Sequence, residues 1–260
     1  MFKTSFELFE AVCSELSRTS WTVLTTKGFS LDGAGDILQG LKKEFNQTVD
    51  EQAIDDAMSA LERHFVAKGA KLPFEFNRET RELSPRDPEF IAFISRMSEI
   101  RTIPKASREF ETEVTHRLSA RLTGLVHRVG WPRTKKKRTE AFVRHLKGLG
   151  FGDGVVMGRE KDGGLDILWL PPLGAIPHRP VVSVQCKNSW FDLEEADKSL
   201  GPTTRSLGCH SGLLNSVHLC CVLFNDYVDP SGLGKKALNF VPLGLSDLAS
   251  FGRLAETLIL

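Results

Sequence analysis

The sequence predicts an α/β fold: a layered sheet covered on both faces in the second half of the chain, preceded by a mostly helical N-terminal region. Three observations predict it. Apolar residues recur at helical spacing through the first hundred positions. The pattern after Thr139 switches to short β-branched runs separated by turn residues. Those runs are apolar on both faces, which a sheet tolerates only when both its sides are covered. With 260 residues, 41% hydrophobic and 26% charged, the chain is long enough for a substantial core and too apolar for general disorder.

The N-terminal elements follow in order. Thr4-Ser5-Phe6-Glu7 has the form of a capping box, with Phe9, Val12, Cys13 and Leu16 behind it at helical spacing. Ser20–Thr26 is short and β-rich. Ile37, Leu38, Leu41 and Phe45 form a second helical stripe, and Ile54, Met58, Leu61 and Phe65 a third, with Gly69 as its stop. The segment 71–88 holds prolines and acids without clear period and reads as a connector. Pro88 opens a helix through Ile91, Ile94 and Met97. A long amphipathic pattern then runs from Ser107 to Val129, through Phe110, Val114, Leu118, Leu122 and Leu125. The expected organisation is a helical domain over 1–105, a connecting helix over 106–133, and an α/β domain over 134–260.

In that last domain Thr139 caps a helix carrying Phe142, Leu146 and Leu149. Strands are expected at 154–158, 165–170 and 180–187, a helix at 193–207 and a buried strand at 217–224. The order is α-β-β-β-α-β.

Net charge is +1, but its distribution is uneven. Residues 1–100 carry −5, residues 101–161 carry +9 and residues 162–260 carry −3. A basic middle between acidic flanks suits a phosphate-facing surface. No apolar run reaches the roughly 18 residues of a membrane span. The N-terminus lacks the basic and apolar regions of a signal peptide, so a cytoplasmic protein without membrane association is expected. The five cysteines form no CxxC pair and read as reduced thiols. No GxxxxGK[ST] loop is present, so ATP is not expected on this chain. The single tyrosine, Tyr227, does not suggest a base-stacking platform.

The chemistry concentrates on two expected strands. In Val181–Lys187, alternation puts Ser183, Gln185 and Lys187 on one face and Val182, Val184 and Cys186 on the other. The preceding strand holds Asp166 among leucines, isoleucine and tryptophan, where a carboxylate needs a partner. Antiparallel pairing would bring Asp166 beside Gln185 and Lys187. Asp166, the Gln185 amide oxygen and the Cys186 backbone carbonyl would then offer Mg²⁺ the hard oxygens it prefers, with Mn²⁺ as a substitute. Lys187 would orient the attacking water and stabilise the developing charge.

Asp166, followed nineteen residues later by Gln185-Cys186-Lys187, resembles the motif of the PD-(D/E)xK nuclease superfamily. The segments TEAFVRHLKGLGF, EKDGGLDILWL and VVSVQCKN are similar to its Mrr-like restriction endonuclease branch, which uses a Q-x-K variant. The resemblance covers residues 134–225. It implies a restriction-endonuclease-like αβββαβ core, metal-dependent phosphodiester hydrolysis and double-stranded DNA as substrate. Leu165 stands where the family often has proline, and Gln185 replaces the second acid. The family position for an acid on the first helix falls at Glu140, a further metal ligand, with Glu109, Glu111 and Glu113 as alternatives. Lys135, Lys136, Lys137 and Arg138, and Lys198 and Arg205 after the QxK strand, are candidate DNA contacts. The expected function is a Mg²⁺-dependent endodeoxyribonuclease of restriction or anti-phage defence, acting as a homodimer. A junction-resolvase-like repair nuclease and a catalytically silent scaffold are the alternatives.

Overall fold

A computed structural model describes residues 2–18, 29–30, 51–80, 82–121, 125–128, 166–170, 181–196, 198, 218–228 and 240–250. The chain divides into two compact units, Met1–Ile103 and Pro104–Leu260.

In the first unit, helix α1 (Phe2–Arg18) buries Phe9, Val12, Cys13 and Leu16. It begins before the expected capping box. Ser5 is buried on the same stripe as Phe9 and Val12, one turn apart along the helix, so the Thr4–Glu7 box lies inside the helix rather than at its start. Helix α2 (Glu51–Ala67) buries Ile54, Met58, Leu61 and Phe65. It ends as its sequence dictates. Gly69 takes a φ of +69°, its N–H bonds the Val66 carbonyl at 2.9 Å, and the Ala70 N–H reaches back to Phe65 at 2.9 Å. Those paired bonds form a Schellman cap and satisfy the last carbonyls of the helix.

The segment expected as a connector contains a hairpin instead. Strands β2 (Phe74–Asn77) and β3 (Glu82–Pro85) pair antiparallel with Phe76 opposite Leu83, and β1 (Phe29–Ser30) adds to β3. Phe74 and Phe76 face inward while Glu75 and Asn77 face out. The Asn77 side chain accepts from the Glu79 and Thr80 N–H groups at 3.0 and 3.2 Å and shapes the turn. Helix α3 (Pro88–Thr102) starts at Asp87, whose carboxylate accepts from the Phe90 N–H at 2.9 Å, with Pro88 in the first turn. Helix α1 packs against α2 and α3. Phe9 meets the rings of Phe65 and Phe74, and Phe65 that of Phe90. The Arg101–Glu10 ion pair, at 2.8 Å, ties α3 to α1.

Among the described residues the second unit holds a five-stranded sheet of order β4-β5-β6-β7-β8. Its strands are β4 (Leu125–Arg128), β5 (Ile167–Leu170), β6 (Val181–Lys187), β7 (His218–Phe224) and β8 (Phe240–Leu243). β4, β5 and β6 pair antiparallel, whereas β6, β7 and β8 run parallel. Helix α4 (Ser107–Arg121) packs against β4 and β6 through a face of Phe110, Val114 and Leu118. The expected continuous helix to Val129 is therefore corrected. The helix ends by Arg121, and Leu125–Arg128 is a strand paired to β5, because strand pairing satisfies its backbone groups inside the sheet. Residues 193–196 and 198 are helical, and Ala196 packs in a cluster with Val222, Phe224, Val228 and Phe191. Among described residues the unit thus runs α-β-β-β-α-β-β, with α4 as its first helix. The helix expected at 139–149, the strand at 154–158, the elements at 20–26 and 36–45, and the end of the helix at 193–207 lie outside the described residues.

Candidate metal and phosphate site

Strand direction gathers the polar residues at one edge of the sheet. The C-termini of β6, β7 and β8 end there, because these strands are parallel. β5 runs opposite to β6, so its N-terminal end reaches the same edge. Asp166, Lys187, Asn225 and Asp226 follow from that arrangement. The carboxyl ends of parallel strands are a common place for ligand sites in open α/β sheets.

The β5–β6 register sets Ile167 opposite Val184, both buried in the core. Continued by one residue, it places Asp166 opposite Gln185, on the other face of the sheet. Asp166 is 7% exposed. Its Oδ2 accepts a 2.6 Å hydrogen bond from the Cys186 backbone N–H. The carboxylate is thus oriented by the strand it faces. Gln185 Oε1 is buried and has no hydrogen-bond partner among the described residues. A buried amide oxygen left unmatched is costly, and such groups usually mark an absent water, ion or ligand.

Lys187 ends β6. Its Nζ lies 3.4 Å from Glu195 Oε2, with the lysine side chain 27% and the glutamate 46% exposed. A long, half-exposed pair of this kind contributes little stability. Sequence reading did not single out Glu195, since an acid eight residues after the lysine reaches it only if the intervening chain turns into a helix. That turn is pinned on both sides. The Asn225 N–H bonds the Lys187 carbonyl at 2.9 Å, and the Asn225 amide donates to Asn188 Oδ1 at 2.7 Å. Asp226 Oδ2 accepts from the Phe191 N–H at 2.9 Å.

The donor set fits a hard cation in its chemistry, with one carboxylate and one unmatched amide oxygen at neighbouring positions. Among the described residues no three His, Cys, Asp or Glu side chains converge to hold a metal ion. Of the acids considered for the first helix, Glu111 is buried on α4, the helix that packs on β6, while Glu109 is exposed and Glu113 half-buried. Glu140 lies outside the described residues, as do Lys135, Lys136, Lys137, Arg138 and Arg205. Lys198 is exposed and pairs with Glu194 at 2.7 Å one helical turn away. At Cys186 it is the N–H that meets Asp166, a contact the sequence reading did not foresee.

No family model, curated protein or solved structure matches this chain. Among the described residues no helix is long and apolar enough to cross a membrane.

Proposed function

We propose that this chain is a Mg²⁺-dependent nuclease that hydrolyses DNA phosphodiester bonds at the β5–β6 edge. The observation that carries the reading is the buried Asp166 carboxylate opposite Gln185, whose buried Oε1 finds no hydrogen-bond partner among the described residues. Among the described residues the second unit mixes helix and sheet, which is compatible with the α/β class that the PD-(D/E)xK resemblance implies. Asp166 and Gln185 would hold the cation, with Glu140 as the helix acid and the buried Glu111 on α4 as its alternative. Bound there, Mg²⁺ would polarise the scissile phosphate and lower the pKa of a bound water. The Cys186 N–H holds Asp166 in one orientation. The Lys187 ammonium, steadied by Glu195, offsets the negative charge that develops on the phosphate. A restriction or defence role, and a dimer that sets two such sites on opposite strands, follow from the resemblance.

Plasmid DNA incubated with the protein in Mg²⁺, in Mn²⁺ and in EDTA tests the reading. Cutting is expected with either metal and not in EDTA. Asp166→Ala and Lys187→Ala are each expected to lower the rate by at least about a hundredfold, the scale of a lost charge-stabilising group. Cutting that survives both substitutions would sink the assignment. One observation favours a second reading, a silent nucleic-acid-binding scaffold: Asp166 and Lys187 already have protein partners in Cys186 and Glu195. No cutting of plasmid or of a four-way junction, with DNA binding retained, would favour that reading.

A further inference from the structure

We propose that Asn225 is a positioning residue for Lys187: it fixes the point at which β6 leaves the sheet, and through that the place of the ammonium at the Asp166–Gln185 edge. The proposal rests on the nuclease reading for the reaction that Lys187 serves. Strands β6 and β7 run parallel in a register that ends with Lys187 opposite Phe224. Asn225 is the next residue and is 0% exposed. A buried amide side chain is costly unless it is hydrogen-bonded, so the partners it takes are informative. Its backbone N–H donates to the Lys187 carbonyl at 2.9 Å, which continues the ladder past the last paired residue. Its side-chain N–H donates to Asn188 Oδ1 at 2.7 Å, adding a rung where the backbone pairing has stopped. One residue further, Asp226 Oδ2 accepts from the Phe191 N–H at 2.9 Å. The chain leaving β6 is thus fastened at Lys187, Asn188 and Phe191 to Asn225 and Asp226 at the end of β7.

That fastening bears on the chemistry through Lys187. The lysine shares its sheet face with Gln185, opposite which the register places Asp166. Its ammonium stands on a flexible stem, so its reach depends on where the Cα is held and on what meets the head. Asn225 holds the first. Glu195 Oε2, 3.4 Å from Nζ, meets the second. Glu195 is carried beside Ala196, which is fully buried against Val222 and Phe224 of β7. Both ends of the lysine are therefore referred to β7, the strand that leads into Asn225. A reacting group misplaced by about 1 Å can cost a hundredfold in rate. Asn225 touches no reacting atom itself; it acts through Lys187. The sequence does not mark the residue, because an asparagine after an apolar run reads as a turn former and its burial is decided by packing.

Plasmid cutting by the full chain, measured over a range of DNA concentrations, separates kcat from KM. Asn225→Ala removes the donor of the side-chain bond. Asn188→Ala removes its acceptor from the half-buried side and leaves Asn225 in place. Each is expected to lower kcat at least about tenfold with KM within about threefold of the wild type. Asn188→Asp keeps the acceptor oxygen and should restore most of kcat. In a Lys187→Ala background neither alanine should lower kcat by more than about a further twofold, since nothing is left to position. Wild-type kcat in Asn188→Ala overturns the proposal, and so does a loss as large without Lys187 as with it. Thermal unfolding checks each variant, and Asn188→Ala alone decides if Asn225→Ala is unfolded. A readout independent of cutting is the carbon-13 NMR resonance of Lys187 in the reductively dimethylated protein, identified by its absence in Lys187→Arg. It is expected to shift in Asn188→Ala, as the ammonium moves relative to Glu195, and an unmoved resonance overturns the proposal. Cutting that depends on Asp166, with wild-type kcat in Asn188→Ala, leaves the nuclease reading standing and removes this one. A shifted Lys187 resonance in a protein that cuts no DNA does the reverse.

Discussion

Asp166 and Gln185 show how much one pair of residues can carry. A carboxylate in an apolar run and a Gln–Lys alternation are visible in the sequence, and strand period two puts Gln185 and Lys187 on one face. Their meeting with Asp166 depends on register, and a slip of one residue would have turned Asp166 to the core side with Ile167's partner Val184. Glu111 was legible only as one of several acids on its helix, because burial separates it from Glu109 and Glu113 and burial is set by packing. Cys13 supplies a residue-scale prediction. Burial, helped by the charge of Glu10, pushes its thiol well above the ordinary range. The folded state therefore keeps the proton where the unfolded thiol, with a pKa of about 8.5, gives it up. Stability from this group is complete below about pH 8.5 and falls as pH rises from there towards the raised folded value. Chemical denaturation of the wild type and Cys13→Ala between about pH 7 and 10 should show the wild type losing stability more steeply, by up to about 1.4 kcal/mol per pH unit. Parallel curves for the two proteins would contradict the assignment.

At the scale of elements, helices read more easily than strands. Helices α2 and α3 carry apolar stripes with a clear stop or start, Gly69 after α2 and Asp87-Pro88 before α3. The β2–β3 hairpin was hidden because each strand is only four residues long, and Phe74-Glu75-Phe76-Asn77 shows its alternation over a window too short to stand out among prolines and acids. Strand β4 was absorbed into the preceding helical pattern for a related reason: Leu125 happens to continue the α4 stripe, and only pairing with β5 decides its state. β8 and the 3₁₀ turn after it (Leu245–Ala249) give a prediction at this scale. Gly244 joins them at a point where a Cβ would press on the backbone of Val228 and lie 2.7 Å from the Asp226 carbonyl. Its N–H also bonds the Asp247 carboxylate at 2.7 Å, and the Leu245 N–H bonds Asp226 at 2.7 Å. Gly244→Ala should therefore lower stability by about 1–3 kcal/mol, the range for overpacking a closed site. Urea unfolding checks it, and an unchanged midpoint would mean the approach is less tight than the backbone positions require.

Across the whole molecule, the uneven charge is a property of composition and predicts behaviour without reference to any one contact. The run Lys135-Lys136-Lys137-Arg138 supplies four of the cations in the +9 segment. Replacing all four by alanine should reduce the steepness of the salt dependence of duplex DNA binding by about 3 to 4 in log–log slope, at roughly 0.9 per phosphate contact. Anisotropy titrations at several salt concentrations measure this. A slope that does not change would move the phosphate-binding surface elsewhere. The division of the chain into Met1–Ile103 and Pro104–Leu260 also belongs to this scale, with α4 counted in the second unit through its packing on β4 and β6.

By itself the sequence determined the α/β class, the apolar stripes of the helices at 2–18, 51–67 and 88–102, the strands expected at 165–170, 180–187 and 217–224, and the polar face of Gln185 and Lys187. These depend on local periodicity, capping residues and side-chain alternation, which act over a few positions. Tertiary structure alone decided the rest. It set strand order and direction, which bring the ends of β5, β6, β7 and β8 to one edge. It chose which acid on α4 is buried, and it brought Glu195 to Lys187 and Asn225 to Asn188 across intervening sequence. Those outcomes depend on contacts between residues far apart in sequence, whose partners are chosen by packing and hydrogen-bond satisfaction rather than by any neighbour along the chain.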